Sequence, residues 1–210
     1  MEDDFIVTIG RQYGSGGRVI GKELAQRLGF DYFDKELINE AAKHSGLAKG
    51  CFEEKDEKEM FSIPAIFSDN WLSMGSGAGM EGALTNEHIF KYQSDVIEML
   101  SHKGKCVIVG RCADYILRHY PHCVNIFIHA PMNERVKRVM ARDHIGEKDA
   151  FALAQRRDKQ RASYYNFYTD KQWGDSSSYH LSIDSSILGI QVTTELIYQF
   201  IMKYKSSLLL

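Results

Sequence analysis

The sequence predicts an α/β fold in which helices cover both faces of a parallel β-sheet. Apolar runs of strand length alternate with segments whose apolar residues recur at helical spacing, a pattern typical of βαβ units. The runs are rich in Val and Ile, as expected for strands that are buried on both faces. We expect five strands, at residues 5–9, 32–33, 106–109, 124–128 and 179–183.

The composition excludes several classes of protein. The chain has 210 residues, and its 26 Lys and Arg against 28 Asp and Glu give a formal charge of −2. A general nucleic-acid coat protein would be far more basic, and 44% hydrophobic residues are enough to form a core. No apolar run approaches the ~18 residues that a membrane span needs. We therefore expect one globular domain over residues 1–210.

The amino terminus and the cysteines indicate where the protein works. Residues 1–4 are acidic, whereas a secretion signal begins with a basic segment. The four cysteines form no C-x-x-C pair, which favours reduced, core-type thiols over a structural zinc site. We expect a cytoplasmic protein.

A glycine-rich loop follows the first strand and opens the next helix. It contains Gly14, Ser15, Gly16 and Gly17, followed by Arg18. Glycines allow successive N–H groups to converge on an anion at a helix amino terminus. The loop predicts a phosphate site, although a simple turn is the alternative. It lacks the third glycine of a dinucleotide fingerprint, and Gly17 stands where a P-loop has lysine.

Polar residues also follow two other predicted strands. Arg111 and Asp114 come after residues 106–109, where an arginine could hold a phosphate or pair locally with Asp114. Asp34 follows residues 32–33 and could bind a ligand or cap a helix. Because the carboxyl ends of parallel strands meet at one edge of the sheet, these residues are candidates for one site.

A basic segment follows the fourth strand. Residues 134–161 contain nine Lys and Arg and five Asp and Glu, so this segment is +4 and the rest of the chain is −6. Arg135, Arg138 and Arg142 share one helical face, and Arg157 and Arg161 are four residues apart. Either a solvated helix surface or a lid that closes over phosphate would explain the pattern.

These motifs together resemble the cytidylate kinase-like branch of the nucleoside monophosphate kinases. The resemblance rests on residues 10–18, 33–38, 107–117 and 158–165. It implies a P-loop kinase-type three-layer sandwich with a five-stranded parallel sheet. It also implies a helical acceptor-binding insertion at about residues 45–90 and a lid at about residues 142–172.

The resemblance also implies the function and the site. It implies phosphoryl transfer from ATP, with Mg²⁺ on the donor phosphates, to CMP or dCMP. Asp34, Arg111 and Asp114 would face the acceptor, and the metal ligands are unassigned. Arg18, Arg157 and Arg161 would act on the phosphoryl group in transfer. The glycine loop would bind ATP through Gly14, Ser15, Gly16, Gly17 and Arg18.

Three departures from that family keep two alternatives open. The P-loop lysine is absent, the Tyr-Arg pair that holds the acceptor phosphate is missing after Asp34, and Cys112 follows Arg111 where those enzymes have Asp. One alternative is a kinase of the same fold with a different small-molecule acceptor. The other is a non-catalytic nucleotide-binding or nucleic-acid-binding protein, although nucleic acid is not the expected partner. No membrane contact is expected.

Overall fold

The structure, a computed structural model, describes residues 4–34 and 86–208. Five strands form a single sheet in the order β2-β3-β1-β4-β5, and every neighbouring pair is parallel. The predicted strands are confirmed to within two residues at most ends, and β1 extends to Arg11. The strands are β1 (Ile6–Arg11), β2 (Asp31–Phe33), β3 (Cys106–Val109), β4 (Cys123–His129) and β5 (Leu181–Asp184).

Helices connect the strands and cover both faces of the sheet. Successive residues of β1 enter different cores: Ile6 packs with α2, α3 and α5, whereas Val7 packs with α1 and α6. This alternation confirms that the strand is buried on both faces. The helices are α1 (Gly17–Leu28), α2 (Asn86–Ser101), α3 (Ala113–Ile116), α4 (Met132–Asp143), α5 (Glu147–Thr169) and α6 (Gly189–Ser207), with a 3₁₀ turn at Ser176–Ser178.

The strand order places the glycine-rich loop at the centre of one sheet edge. The chain leaves β1 for β2 and β3 on one side and then crosses to β4 and β5 on the other. Ligands of open α/β sheets bind where the chain changes direction in this way, at the carboxyl ends of the strands. The loops after β1, β2 and β3 meet at that edge.

Two sequence predictions concern segments around this edge. The predicted insertion at about residues 45–90 lies mostly outside the described residues. The predicted lid, at about residues 142–172, spans the end of α4, all of α5 and the turn after it. Its movement remains a prediction.

The cysteines and the helices can be compared with two sequence predictions, reduced thiols and the lack of a membrane span. Cys106, Cys112 and Cys123 are free and buried, as the sequence predicted, and Cys51 lies outside the described residues. Within residues 4–34 and 86–208, no helix is both long and apolar enough to cross a membrane.

Candidate active site

The glycine-rich loop has the backbone geometry of a phosphate site. Gly14 and Gly16 have φ values of +78° and +85°, in the left-handed region that glycine tolerates. Gly16 caps α1 without a side-chain hydrogen bond. The first N–H groups of a helix have no acceptor within the helix, and with the helix dipole they favour an anion. These features make the loop a candidate phosphate site at the start of α1.

Ser15 shapes this loop from within. Its hydroxyl donates to the carbonyl oxygen of Gln12 at 2.9 Å, and its backbone N–H donates to the same oxygen at 3.3 Å. The carbonyl of Ser15 accepts from Arg138 Nη1 at 3.0 Å and from the Ser185 hydroxyl. Ser15 is fully buried. Both of its donors are thus engaged inside the protein, so it contributes to loop shape.

A buried ion pair braces the loop at Tyr13. Arg135 is 5% exposed, and its guanidinium donates to Asp158 Oδ2 and to the Tyr13 carbonyl, the latter at 3.1 Å. Asp158 Oδ1 accepts the Tyr13 N–H at 2.7 Å. The pair links α4 and α5 to the backbone of the loop. Neither sequence interpretation of the basic segment, solvated surface or lid, describes Arg135.

The sequence contained one sign of this buried role. Arg135 lies in the first turn of α4, where the helix dipole disfavours a cation. A basic residue there needs a specific partner, and Asp158 is in the right segment to provide one. Arg135 and Arg138 are thus committed to the loop rather than to a solvated helix surface.

Two further arginines flank the ring of Tyr13. The guanidinium carbon of Arg142 lies 4.9 Å from the ring centroid, and that of Arg161 lies 5.4 Å from it. Arg161 Nη1 also donates to the carbonyl of Arg11 at 3.0 Å. The structure therefore brings Arg161 next to the start of the loop. Arg157, one turn earlier on α5, contacts Gln160 at 3.5 Å.

Arg18 and Asp34 are brought together. Arg18 Nε donates to Asp34 Oδ2 at 2.9 Å, while the Arg18 side chain remains 61% exposed. Asp34 is 5% exposed and also accepts the Tyr32 hydroxyl at 3.4 Å. This pair joins the start of α1 to the end of β2, so the predicted donor and acceptor residues share one site.

The turn after β3 is conformationally strained. Gly110, Arg111 and Cys112 have φ values of +83°, +58° and +55°. Left-handed backbone costs about 1 kcal/mol or more at a residue with a side chain, and such strain clusters at functional sites. The turn directs Arg111 toward α5, with its guanidinium carbon 5.9 Å from the centroid of the Tyr164 ring.

Asp114 is tied to α5 by a hydrogen bond. Its Oδ2 accepts the Tyr165 hydroxyl at 2.7 Å. Burial raises the pKa of Asp114, and the Tyr165 hydrogen bond acts in the opposite direction. In this arrangement the carboxylate joins α3 to α5.

We expect Tyr165→Phe to destabilise the protein by about 2 kcal/mol, because a carboxylate in a buried site loses a donor. Without that donor the pKa of Asp114 rises further above its unfolded value. The cost is therefore full above the folded pKa of Asp114 and shrinks as the pH falls through it. Urea unfolding at several pH values measures it. Tyr115→Phe is the matched control, because it also removes a tyrosine hydroxyl, from a ring that lies beneath the Arg118 guanidinium. An equal loss of unfolding free energy in both variants would contradict the prediction.

Gly16→Ser is expected to destabilise the fold by about 1–2 kcal/mol, because Gly16 has a φ of +85° that serine disfavours. A Cβ on Gly16 would also displace the terminal Cδ1 methyl of Ile190, 2.1 Å away. The matched control is Gly146→Ser, where φ is −69° and a Cβ meets nothing within 4 Å. Serine also suits the helix N-cap that Gly146 occupies. Thermal and urea unfolding of the two variants should therefore diverge, and similar stabilities would contradict a requirement for glycine at residue 16.

A cavity of about 370 Å³ lies on the other side of β1 from Asp34. It is bounded by β4, β5 and the turn at residues 173–176, and Gln12, His129 and Trp173 contribute to its wall. Trp173 packs edge-on against Phe127 there. None of the predicted site residues lines this cavity.

The parallel five-stranded sheet and the loop at its centre define the class: an α/β protein with the P-loop kinase fold. A gluconokinase structure from Sinorhizobium meliloti superposes with a TM-score of 0.59 over 99% of this chain and 97% of that one, at 10% identity, which shows the fold alone. An uncharacterized protein from Eubacterium ventriosum superposes with a TM-score of 0.71 at 29% identity, over 94% and 98% of the two chains.

The family follows from the sequence comparison. Residues 6–187 match the model of the cytidylate kinase-like family, and the chain belongs to that family. The cytidylate kinase of Methanosarcina barkeri is 27% identical over 180 residues, which is 85% of this chain and 86% of that protein. Family membership confirms the resemblance seen in the motifs, and the activity that it implies is ATP-dependent phosphoryl transfer.

Proposed function

We propose that this protein transfers the γ-phosphoryl group of ATP to a nucleoside monophosphate, CMP or dCMP. One observation carries the proposal: Arg18, at the end of the glycine-rich loop, donates a hydrogen bond of 2.9 Å to Asp34, which follows β2. Arg111 follows β3, the strand between β1 and β2 in the sheet. This contact supports a donor site and an acceptor site that adjoin at one edge of the sheet.

The reaction needs alignment and positive charge more than a nucleophilic side chain. A phosphate oxygen of the acceptor attacks the γ-phosphorus of ATP, the bond to the β-γ bridging oxygen breaks, and ADP leaves. The N–H groups of Gly14, Gly16, Gly17 and Arg18 hold the donor phosphates, and Ser15 supports the shape of the loop. Arg18, Arg157 and Arg161 stabilise the charge on the equatorial oxygens, and Asp34, Arg111 and Asp114 face the acceptor.

Magnesium is the cofactor that we assign to this reaction. Among the described residues, no group of three potential ligands is placed to hold a metal ion. This fits a kinase, because Mg²⁺ usually binds substrate phosphates and water together with one or two carboxylates. Bound Mg²⁺ would neutralise charge on the β- and γ-phosphates. The free cysteines support a cytoplasmic setting.

The test incubates the protein with Mg-ATP and each of a panel of nucleoside monophosphates, and measures the release of ADP. We expect CMP or dCMP to give the highest kcat/KM. Failure to phosphorylate any of them at millimolar concentration would contradict the proposal.

A second candidate is a kinase with a different small-molecule acceptor. Two features of the predicted acceptor side favour it. The carboxylate of Asp114 accepts a hydrogen bond from the Tyr165 hydroxyl. Cys112, two residues earlier, stands where cytidylate kinases have Asp. A screen of hydroxyl and phosphate acceptors with Mg-ATP separates the two candidates. Turnover of a non-nucleotide in preference to CMP would support this second one.

A further inference from the structure

Arg11, the last residue of β1, departs from the P-loop pattern together with Gly17. In the pattern G-x-x-x-x-G-K-[ST], the second glycine falls on Gly16, the lysine on Gly17 and the first glycine on Arg11. The chain thus has a cation where the pattern has glycine, and glycine where the pattern has a cation. The two departures are six residues apart in the sequence.

The structure shows why these two departures occur together. A Cβ built on Gly17 would lie 2.6 Å from Arg11 Cβ and 2.9 Å from Arg11 Cγ. Real Cβ atoms essentially never approach other atoms so closely, so a side chain at residue 17 and the stem of Arg11 exclude each other. The stem of Arg11 occupies the space from which a P-loop lysine would begin.

The guanidinium of Arg11 extends across the sheet edge toward β3. A Cβ on Gly110 would lie only 1.9 Å from Arg11 Nη1, so the head group rests on the backbone of Gly110. Gly110 is directly beside β1, because its N–H donates to the Ile9 carbonyl at 3.0 Å. Glycine at residue 110 therefore makes room for this head group, between the loop and the turn that carries Arg111.

Two contacts place other site elements near Arg11. Arg161 Nη1 donates to the Arg11 carbonyl at 3.0 Å, which ties α5 to the same residue. Burial raises the pKa of Tyr32 to about 12, and the charges of Arg18 and Arg11 act against that rise. Both cations are therefore close to Tyr32, beside Asp34.

We propose that Arg11 supplies the contact to the donor phosphates that a lysine at residue 17 makes in a standard P-loop. This rests on the ATP site of the proposed function. A planar guanidinium binds two phosphate oxygens at once, and this one starts from β1 and lies between the loop and β3. Arg18, the next cation along the chain, lies 2.9 Å from Asp34 Oδ2.

The experiment measures Mg-ATP binding by calorimetry and by thermal shift. Arg11→Ala is expected to weaken Mg-ATP binding by about 10- to 100-fold, the range for a charge-assisted hydrogen bond. Arg11→Lys keeps a cation and should bind better than Arg11→Ala. Arg27→Ala is the matched control, because it also removes an arginine but lies roughly 15 Å along α1 from the loop. It should bind Mg-ATP like the unsubstituted chain.

A double substitution tests the exchange of positions directly. Arg11→Gly alone should lose affinity, and Arg11→Gly with Gly17→Lys should regain at least about tenfold of it, because the first glycine and the lysine of the pattern are then restored, with Arg18 unchanged at its Ser/Thr position. Gly17→Lys alone should lose affinity, since its side chain collides with the Arg11 stem. Thermal unfolding without ATP verifies that each variant is folded.

Two results would overturn the inference. One is Mg-ATP affinity of Arg11→Ala within about twofold of the unsubstituted chain; the other is no gain in the double variant over Arg11→Gly. These binding results are independent of the acceptor. A chain that binds Mg-ATP through Arg11 but phosphorylates no nucleotide would refute the proposed function only. Normal CMP phosphorylation by Arg11→Ala would refute the role of Arg11 only.

Discussion

Arg161→Ala is expected to lower kcat for phosphoryl transfer by about 10³-fold or more, the effect of an arginine that stabilises the transferring group. The Arg161 guanidinium reaches the loop, where it donates to the Arg11 carbonyl, and its side chain is 25% exposed. The charge on the equatorial phosphate oxygens is greatest in the transition state. The loss should therefore fall mainly on kcat, with a smaller change in the KM for ATP.

The control for this variant is Arg156→Ala on the same helix. Arg156 is exposed on α5, so the variant loses the same charge away from the loop. Steady-state kinetics with the acceptor found in the screen measures both variants. A kcat within about threefold of the unsubstituted enzyme in Arg161→Ala would contradict a direct role.

Arg135→Ala is expected to lower the free energy of unfolding by about 3–5 kcal/mol, the cost of breaking a buried ion pair by removing one partner. The side chains of Arg135 and Asp158 are 6% and 15% exposed. Removal leaves the Asp158 charge with the Tyr13 N–H and a distant contact to Arg161 at 4.0 Å. Because the pair holds Tyr13, Mg-ATP affinity should fall with stability.

Arg142→Ala is the matched control on the same helix. Its partners are Asp143 and the exposed Tyr13 hydroxyl, and its side chain is 54% exposed, so the expected loss is about 1 kcal/mol or less. Urea unfolding at neutral pH measures both variants. Equal losses in Arg135→Ala and Arg142→Ala would show that burial of the Arg135–Asp158 pair does not govern its contribution.

Local patterns were sufficient for the strands and for the position of the loop. A strand buried on both faces is a short Val- and Ile-rich run whatever surrounds it, and β3 was predicted to the residue. Gly14 and Gly16 were recognisable because left-handed backbone at a strand-to-helix turn demands glycine. The likeness to the cytidylate kinase-like family rested on these same segments.

Local patterns were not sufficient for the arginines. The spacing of Arg135, Arg138 and Arg142 is the same whether their helix face meets water or protein. Only the packing of α4 against α5 and the loop decides that Arg135 is buried and Arg142 is largely exposed. The hydrogen bond between Tyr165 and Asp114 likewise joins residues 51 positions apart, beyond any local pattern.

The sequence by itself determined the parallel α/β fold, the phosphate-shaped loop and the family, because each depends on residues that are close together along the chain. The tertiary structure decided which charges support the loop and which face the site. Arg11 shows the reason most clearly: the direction of its side chain depends on the space left by Gly17 and by Gly110 on a neighbouring strand. Such space exists only once the strands have paired.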